Sequence, residues 1–140
     1  MTSPADRKAF NEALITEFRA NEGKVGGRFE GRPVLLLTTT GAKSGRKFTI
    51  PLVYLQEGDR RLIFASKAGA PTNPDWYHNL VANPTVTVEV GSDTYDAKAV
   101  VITGAERDQL YAKQVTEMPQ FGEYQEKTSR VIPVIDLERA

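Results

Sequence analysis

Two short stretches of this chain concentrate the residue types from which chemistry is made. The first, GAKSGRK at 41–47, packs two glycines, three cations (Lys43, Arg46, Lys47) and a hydroxyl (Ser44) into one turn. Glycine lets backbone N–H groups approach an anion closely, and each cation can add a charge-assisted bond of roughly 1.5–3 kcal/mol, so a phosphate or carboxylate would be held well. The second, FASKAGAPTNPDWYHNL at 64–80, places Ser66 and Lys67 at a strand end, then a Gly/Pro-rich crossing, then a helix start with Trp76 and Asn79. Backbone amides there would meet the polar edge of a flat ring system and the indole its face. Each stretch also has a plain reading: turns are polar because they are solvated, and a tryptophan often pins a short helix to a core.

Other constellations fall away. The chain has no Cys and one His, His78, so disulfides, thiol nucleophiles and thiolate metal sites are excluded and a zinc site has almost no ligands left. A Ser-His-Asp triad would need His78 beside Asp75, without any G-x-S-x-G elbow to present the serine. The turn at 41–47 misses the P-loop spacing, and no G-x-G-x-x-G follows a strand. Formal charge is zero, 18 basic against 18 acidic residues, yet nine basic and three acidic ones fall between Lys24 and Lys67. Such segregation fits an anion bound by one region, or a solvated basic face, better than a nucleic-acid binder, whose excess usually marks the whole domain. At 140 residues and 40% hydrophobic composition the chain reads as a single domain, 1–140. The polar N-terminus and the lack of an apolar run near ~20 residues lead to the expectation of a cytoplasmic protein.

Positioning those stretches requires a scaffold, and the patterning supplies one. Ser3 and Asp6 at capping-box spacing, Pro4, and then Phe10, Leu14 and Phe18 predict an amphipathic N-terminal helix within 1–23, ended by Gly23, Gly26 and Gly27, where a hinge is expected. That helix is expected to pack on the rest, with peripheral membrane contact as the lesser alternative, since its acidic residues offset its cations. From 31 to 140 the chain reads as a barrel. VLLLTTT, FTIPLVYL and LIFAS predict three antiparallel strands joined by two hairpins, with Pro51 at an edge or bulge. Asn73 and Pro74 open a short helix that Asn83-Pro84 stops. Alternating Val86, Val88 and Val90 and the run TYDAKAVVIT predict a hairpin, Thr103 and Glu106 a capping box, 121–127 a helical turn or loop, and VIPVIDL a buried strand. The sum is a mainly β (α+β) fold: a six-stranded antiparallel split β-barrel with an N-terminal helix and short flanking helices.

In combination, GAKSGRKFTIPLVYL, FASKAGAPTNPDWYHNLVANP and VIPVIDL resemble the deazaflavin-dependent nitroreductase family of actinobacteria, reductases that bind coenzyme F420 in a split β-barrel; the likeness covers the chain from about Gly31 onward. The resemblance implies that Lys43, Ser44 and Gly45, with Arg46, Lys47, Ile50 and Pro51, hold the phosphate and oligoglutamate tail. It implies that Phe64, Ala65, Ser66 and Lys67, together with Pro71, Thr72, Asn73, Pro74, Trp76 and Asn79, hold the deazaflavin. Phe121, Tyr124 and Lys127 match the family's substrate side, and Ser66 and Tyr124 become candidates for meeting charge that develops on the acceptor. The chain departs from the family at Phe48, where an arginine is common. What is implied is an F420H2-dependent reductase delivering a hydride to a quinone, enone or nitro compound, with no nucleic-acid partner. FMN- or haem-binding split barrels and a non-enzymatic barrel stacking single-stranded nucleic acid on Tyr54 or Phe48 are the rival readings.

Overall fold

The computed structural model describes residues 4–26 and 31–140. Ser3 of the expected first capping box and Gly27 of the expected hinge lie outside the described residues. Helix α1 (Pro4–Ala20) is followed by strands β1 (Val34–Thr40), β2 (Lys47–Val53), β3 (Leu55–Glu57) and β4 (Arg60–Phe64), then by a 3-10 turn at Lys67–Gly69 and helix α2 (Asp75–Ala82). The hairpin β5 (Thr85–Val90) and β6 (Asp93–Ile102), helices α3 (Gly104–Glu117) and α4 (Gln120–Glu126), and strand β7 (Val134–Arg139) complete the chain.

All seven strands form one antiparallel sheet in the order β2-β1-β5-β6-β7-β4-β3. Its two edge strands, β2 and β3, are separated by the single residue Tyr54. Laid flat, seven strands would hold their edges roughly 29 Å apart, whereas one residue spans about 3.5 Å, so the sheet has to curl until its edges meet. This is the split barrel expected from the patterning, with seven strands rather than six. The expected strand FTIPLVYL breaks at Tyr54, whose N–H donates to the Pro33 carbonyl at 3.0 Å and so turns the chain from one edge to the other. Pro51, lacking an N–H, sits in edge strand β2 opposite Leu36.

Strand alternation sorts side chains between two cores. Leu35 and Leu37 join Ile63, Val86, Val88, Ile135 and Leu137 inside the barrel, while Val34 and Leu36 point out beneath Phe18 of α1. On the other flank Leu62, Phe64 and Val134 face outward under Leu110, Tyr111 and Phe121 of α3 and α4. This double use explains why VIPVIDL reads as a buried strand and why VLLL is apolar at successive positions. Val131 is the exception, 68% exposed ahead of β7.

Helix α1 buries Leu14 and Phe18 but leaves Phe10 44% exposed, and Arg19 makes a two-pronged bond to Glu89 at 2.9 and 3.0 Å. No helix among the described residues is long and apolar enough to cross a membrane. Two expected caps are absent as side-chain bonds: Pro74 rather than Asn73 caps α2, and Thr103 caps α3 without bonding it. Asn73 is instead drawn to Arg130 at 2.7 Å, and Glu106 faces Arg60 at 3.4 Å, stronger charge-assisted partners than an exposed helix end offers.

Candidate functional site

The β1–β2 connection is a tight, self-bonded turn. Gly41 donates to the Arg46 carbonyl at 2.7 Å, Gly45 to the Gly41 carbonyl at 3.0 Å, and the Arg46 N–H to Ser44 Oγ at 3.2 Å. Folding the polar backbone inward leaves Lys43, Ser44, Gly45, Arg46 and Lys47 exposed. Lys47 Nζ donates to Thr40 Oγ1 at 2.7 Å, while Lys43 and Arg46 make no ion pair among the described residues. The Arg46 guanidinium lies 5.8 Å from the ring of Phe48, which is 46% exposed. Ile50 and Pro51 are half-buried further along β2.

This turn docks on helix α2. The Ala42 N–H donates to Asn79 Oδ1 at 3.0 Å, Asn79 Nδ2 reaches Thr39 Oγ1 at 3.3 Å, and Asn83 Nδ2 reaches the Thr40 carbonyl at 3.4 Å. The cationic bend and the tryptophan-bearing segment therefore meet, and Asn79 is the joint. Its amide is spent on that joint. Trp76, 7% exposed, packs inward against the barrel core with Leu80.

The second stretch leaves β4 at Ala65, whose N–H donates to the Pro133 carbonyl at 3.0 Å. Ser66 is right-handed, and then Lys67 (φ 47°), Ala68 (φ 53°) and Gly69 (φ 82°) are all left-handed. Two successive non-glycine residues in that region carry a strain of order 1–3 kcal/mol each, persisting only where surroundings fix them. The surroundings are close: a Cβ on Gly69 would stand 2.7 Å from the Tyr124 carbonyl oxygen and 3.0 Å from Lys127 Cβ. Gly69 and Ala70 donate back to the Ser66 and Lys67 carbonyls at 2.9 and 3.1 Å. The N–H groups of Ser66, Lys67 and Ala68 meet no acceptor among the described residues. Lys67 Nζ donates to Thr72 Oγ1 at 3.2 Å, Pro71 and Thr72 are exposed, and Pro74 is buried.

Helix α4 brings the C-terminal candidates beside this loop. Tyr124 is half-buried and Lys127 exposed, both against Gly69. Phe121 is different: 7% exposed, it makes edge-to-face contacts with Phe64 (5.7 Å) and Tyr124 (5.1 Å), while its carbonyl accepts the Tyr111 hydroxyl at 2.6 Å. Burial pushes the Tyr111 hydroxyl up to about 12. Phe64 likewise turns its ring to α3 and α4, leaving only its backbone toward the loop. His78 is exposed, edge-on to Tyr77, and no cluster among the described residues could hold a metal ion.

Sequence reasoning missed Arg130. Its guanidinium donates to the carbonyls of Ala70 (2.9 Å), Ala65 (3.1 Å) and Ser66 (2.9 Å) and to Asn73 Oδ1 (2.7 Å). An arginine in the polar run TSR carries no local signal for this; the partners lie 57 to 65 positions away. Two hollows, about 480 Å³ by Glu17, Asn21 and Val25 and about 410 Å³ by Arg61, Tyr95 and Arg139, lie away from these residues.

Comparison with known proteins bears on this arrangement. A family profile described as F420H(2)-dependent quinone reductase matches residues 12–139. An F420H(2)-dependent quinone reductase of Mycobacterium tuberculosis (strain ATCC 25618 / H37Rv) is 40% identical over 126 residues, covering 87% of this chain and 85% of that protein. A solved structure of an F420-H2 dependent reductase superimposes with a TM-score of 0.70 at 44% identity, covering 76% of this chain and 95% of that one. Another, described as a domain-swapped dimer, gives 0.72 at 40% identity over 97% of this chain and all (100%) of the other.

Proposed function

The chain belongs to the F420H(2)-dependent quinone reductase family, and from that premise we propose that it binds reduced coenzyme F420 across the junction of the 41–47 turn and the 65–74 loop and reduces quinones. The observation that carries this reading is the Ala42–Asn79 bond, which holds the two stretches side by side. The residues fit an elongated molecule with an anionic tail and a flat polar ring. Lys43 and Arg46 are exposed cations without carboxylate partners among the described residues, suited to the phosphate and carboxylates of the tail, with Ser44, Gly45 and Lys47 beside them. The N–H groups of Ser66 and Lys67 are donors suited to the oxygen-bearing edge of the ring.

When bound, the reduced deazaflavin supplies a hydride to the acceptor. The chain's own part is positional and electrostatic. The 65–74 loop fixes the ring edge, and Tyr124 and Lys127, packed against Gly69, border that loop on the side from which the acceptor would approach. Negative charge developing on an acceptor oxygen is met by donors from Ser66, Tyr124 or the backbone near Lys67. Phe121 serves this side from beneath, packing Tyr124 rather than contacting substrate. Enones and nitro compounds offer the same polarised electrophile and are proposed as further acceptors.

The test is a panel of quinones, enones and nitro compounds with reduced F420, read as recovery of oxidised deazaflavin absorbance. Quinone turnover is expected. Tyr124→Ala is expected to shift the ranking of acceptors while changing F420 affinity less than about threefold. An unchanged ranking with lost F420 affinity would refute the assignment of α4 to the acceptor side.

A further inference from the structure

Arg130 is the least expected charged group near the loop. No carboxylate among the described residues pairs with it. Burial draws its pKa below the usual guanidinium value, yet its forked head is spent on three backbone carbonyls and one amide oxygen. Its own backbone is pinned on both sides, its carbonyl accepting from Gln125 Nε2 at 2.8 Å and its N–H donating to Thr128 Oγ1 at 3.3 Å. Gln125 Oε1 in turn accepts from Arg107 Nη2 at 2.7 Å, and Arg107 also holds the Ile132 carbonyl at 3.0 Å. The fork is thus delivered to the loop from α3 through α4.

The carbonyls it holds decide where the donors point. In a trans peptide the C=O of one residue and the N–H of the next point in opposite directions. The Ala65 carbonyl shares its peptide unit with the Ser66 N–H, and the Ser66 carbonyl with the Lys67 N–H. Arg130 captures both carbonyls, so both N–H groups are turned away from it, where they have no acceptor among the described residues. A cation behind the two peptide units also polarises their N–H ends toward an electron-rich partner.

We propose that Arg130 is the positioning residue of the cofactor loop, holding the Ala65 and Ser66 carbonyls so that the Ser66 and Lys67 N–H groups form a paired donor for an oxygen or deprotonated nitrogen of the bound ring. This rests on the cofactor reading above and adds a residue that touches neither ring nor acceptor.

Amide hydrogen exchange resolved by residue, together with fluorescence titration by oxidised F420, tests it on the full chain. In the free protein, Arg130→Met is expected to speed exchange at Gly69 and Ala70, whose N–H groups close the turn, by at least tenfold. On adding F420, the Ser66 and Lys67 amides of the wild type are expected to become protected; in Arg130→Met that protection is lost and the dissociation constant rises at least tenfold. Arg130→Lys, which keeps the charge but not the fork, is expected to fall between, and it decides in the same way should Arg130→Met not fold. Wild-type affinity and protected amides in the variant would overturn the proposal. So would F420 binding to the wild type with Ser66 and Lys67 left unprotected, a result that leaves the cofactor reading standing. Failure of the wild type to bind F420 at all removes the cofactor reading and this proposal with it.

Discussion

Asn79 offers the sharpest perturbation of the junction, because two substitutions there separate geometry from charge. Asn79→Ala removes the 3.0 Å bond from Ala42 and the longer 3.3 Å bond to Thr39. A good hydrogen bond is worth about 1 kcal/mol net, and water can rehydrate the exposed Ala42 N–H, so stability should fall by about 1–1.5 kcal/mol, roughly 3–5 °C in melting temperature. A turn that must be reordered on binding costs a comparable amount, about 1 kcal/mol, or about a fivefold rise in the F420 dissociation constant. Asn79→Asp keeps an acceptor for Ala42, so the melting temperature should hold. It adds a negative charge on the side of the turn that would receive the anionic tail. At about 10 Å in a solvated site each charge pair is worth about 0.4 kcal/mol, so two tail charges would weaken binding about fourfold. The two defects differ in kind: high salt screens the Asp variant's defect and leaves that of the Ala variant intact. Titration of F420 fluorescence at low and high salt, beside thermal melts, reads both. An Asn79→Ala protein that melts and binds as the wild type does would show that the turn holds itself in place, and the convergence argument would fail.

Three further outcomes follow from particular contacts. Lys43→Ala, with no partner among the described residues to lose, should leave the melting temperature unchanged while raising the F420 dissociation constant about ten- to a hundredfold, an effect that shrinks with salt; unchanged affinity by fluorescence titration would count against the turn as tail site. Gly69→Ala forces a side chain onto a residue at φ 82° and to 2.7 Å from the Tyr124 carbonyl oxygen. Neither backbone yields cheaply, so a loss of about 2–4 kcal/mol in denaturant unfolding and a displaced 67–69 turn are expected. Tyr111 is held neutral by burial with its pKa raised from 10.0 to about 12. The folded protein therefore binds that proton more tightly than the unfolded chain, so its contribution is complete below pH 10 and is lost as pH rises from about 10 toward about 12. Tyr111→Phe should flatten the pH dependence of the melting temperature in that window, while costing about 0.5–1.5 kcal/mol at neutral pH for the lost bond to the Phe121 carbonyl.

What could be read from the sequence was whatever rests on local rules. Patterning located six of the seven sheet segments, β3 being merged with β2, and the run apolar on both faces, VIPVIDL, marked a strand covered on both sides. The break at Tyr54 was invisible, since it answers to closure of the barrel and not to any turn residue. Thr103 stands at the start of α3 as expected, but the side-chain bonds of Asn73 and Glu106 go elsewhere: capping is a weak local bond, and distant arginines outcompete it. Of the candidate site, the cationic turn and the Gly/Pro-rich loop were legible as clusters. Phe121 was misjudged because an aromatic in a polar segment gives no sign of which face of its helix is covered. Arg130 could not be found at all, as its meaning lies wholly in partners brought to it by the fold.

The relation between the two stretches is set by one rigid element. Trp76, Asn79, Leu80 and Asn83 stand at positions i, i+3, i+4 and i+7, a single face of α2 and its cap. Trp76 and Leu80 lock that face into the barrel, while Asn79 and Asn83, interleaved with them, hold the turn and the end of β1. The chain entering α2 is the 65–74 loop, clamped by Arg130 along its length from Ala65 to Asn73. Turn and loop therefore cannot drift independently: the distance between them is a helix register, fixed by the same burial that stabilises the core. On the cofactor reading proposed above, a site assembled in this way would meet a long ligand at both ends without first closing around it, so little ordering cost would fall on the binding step itself.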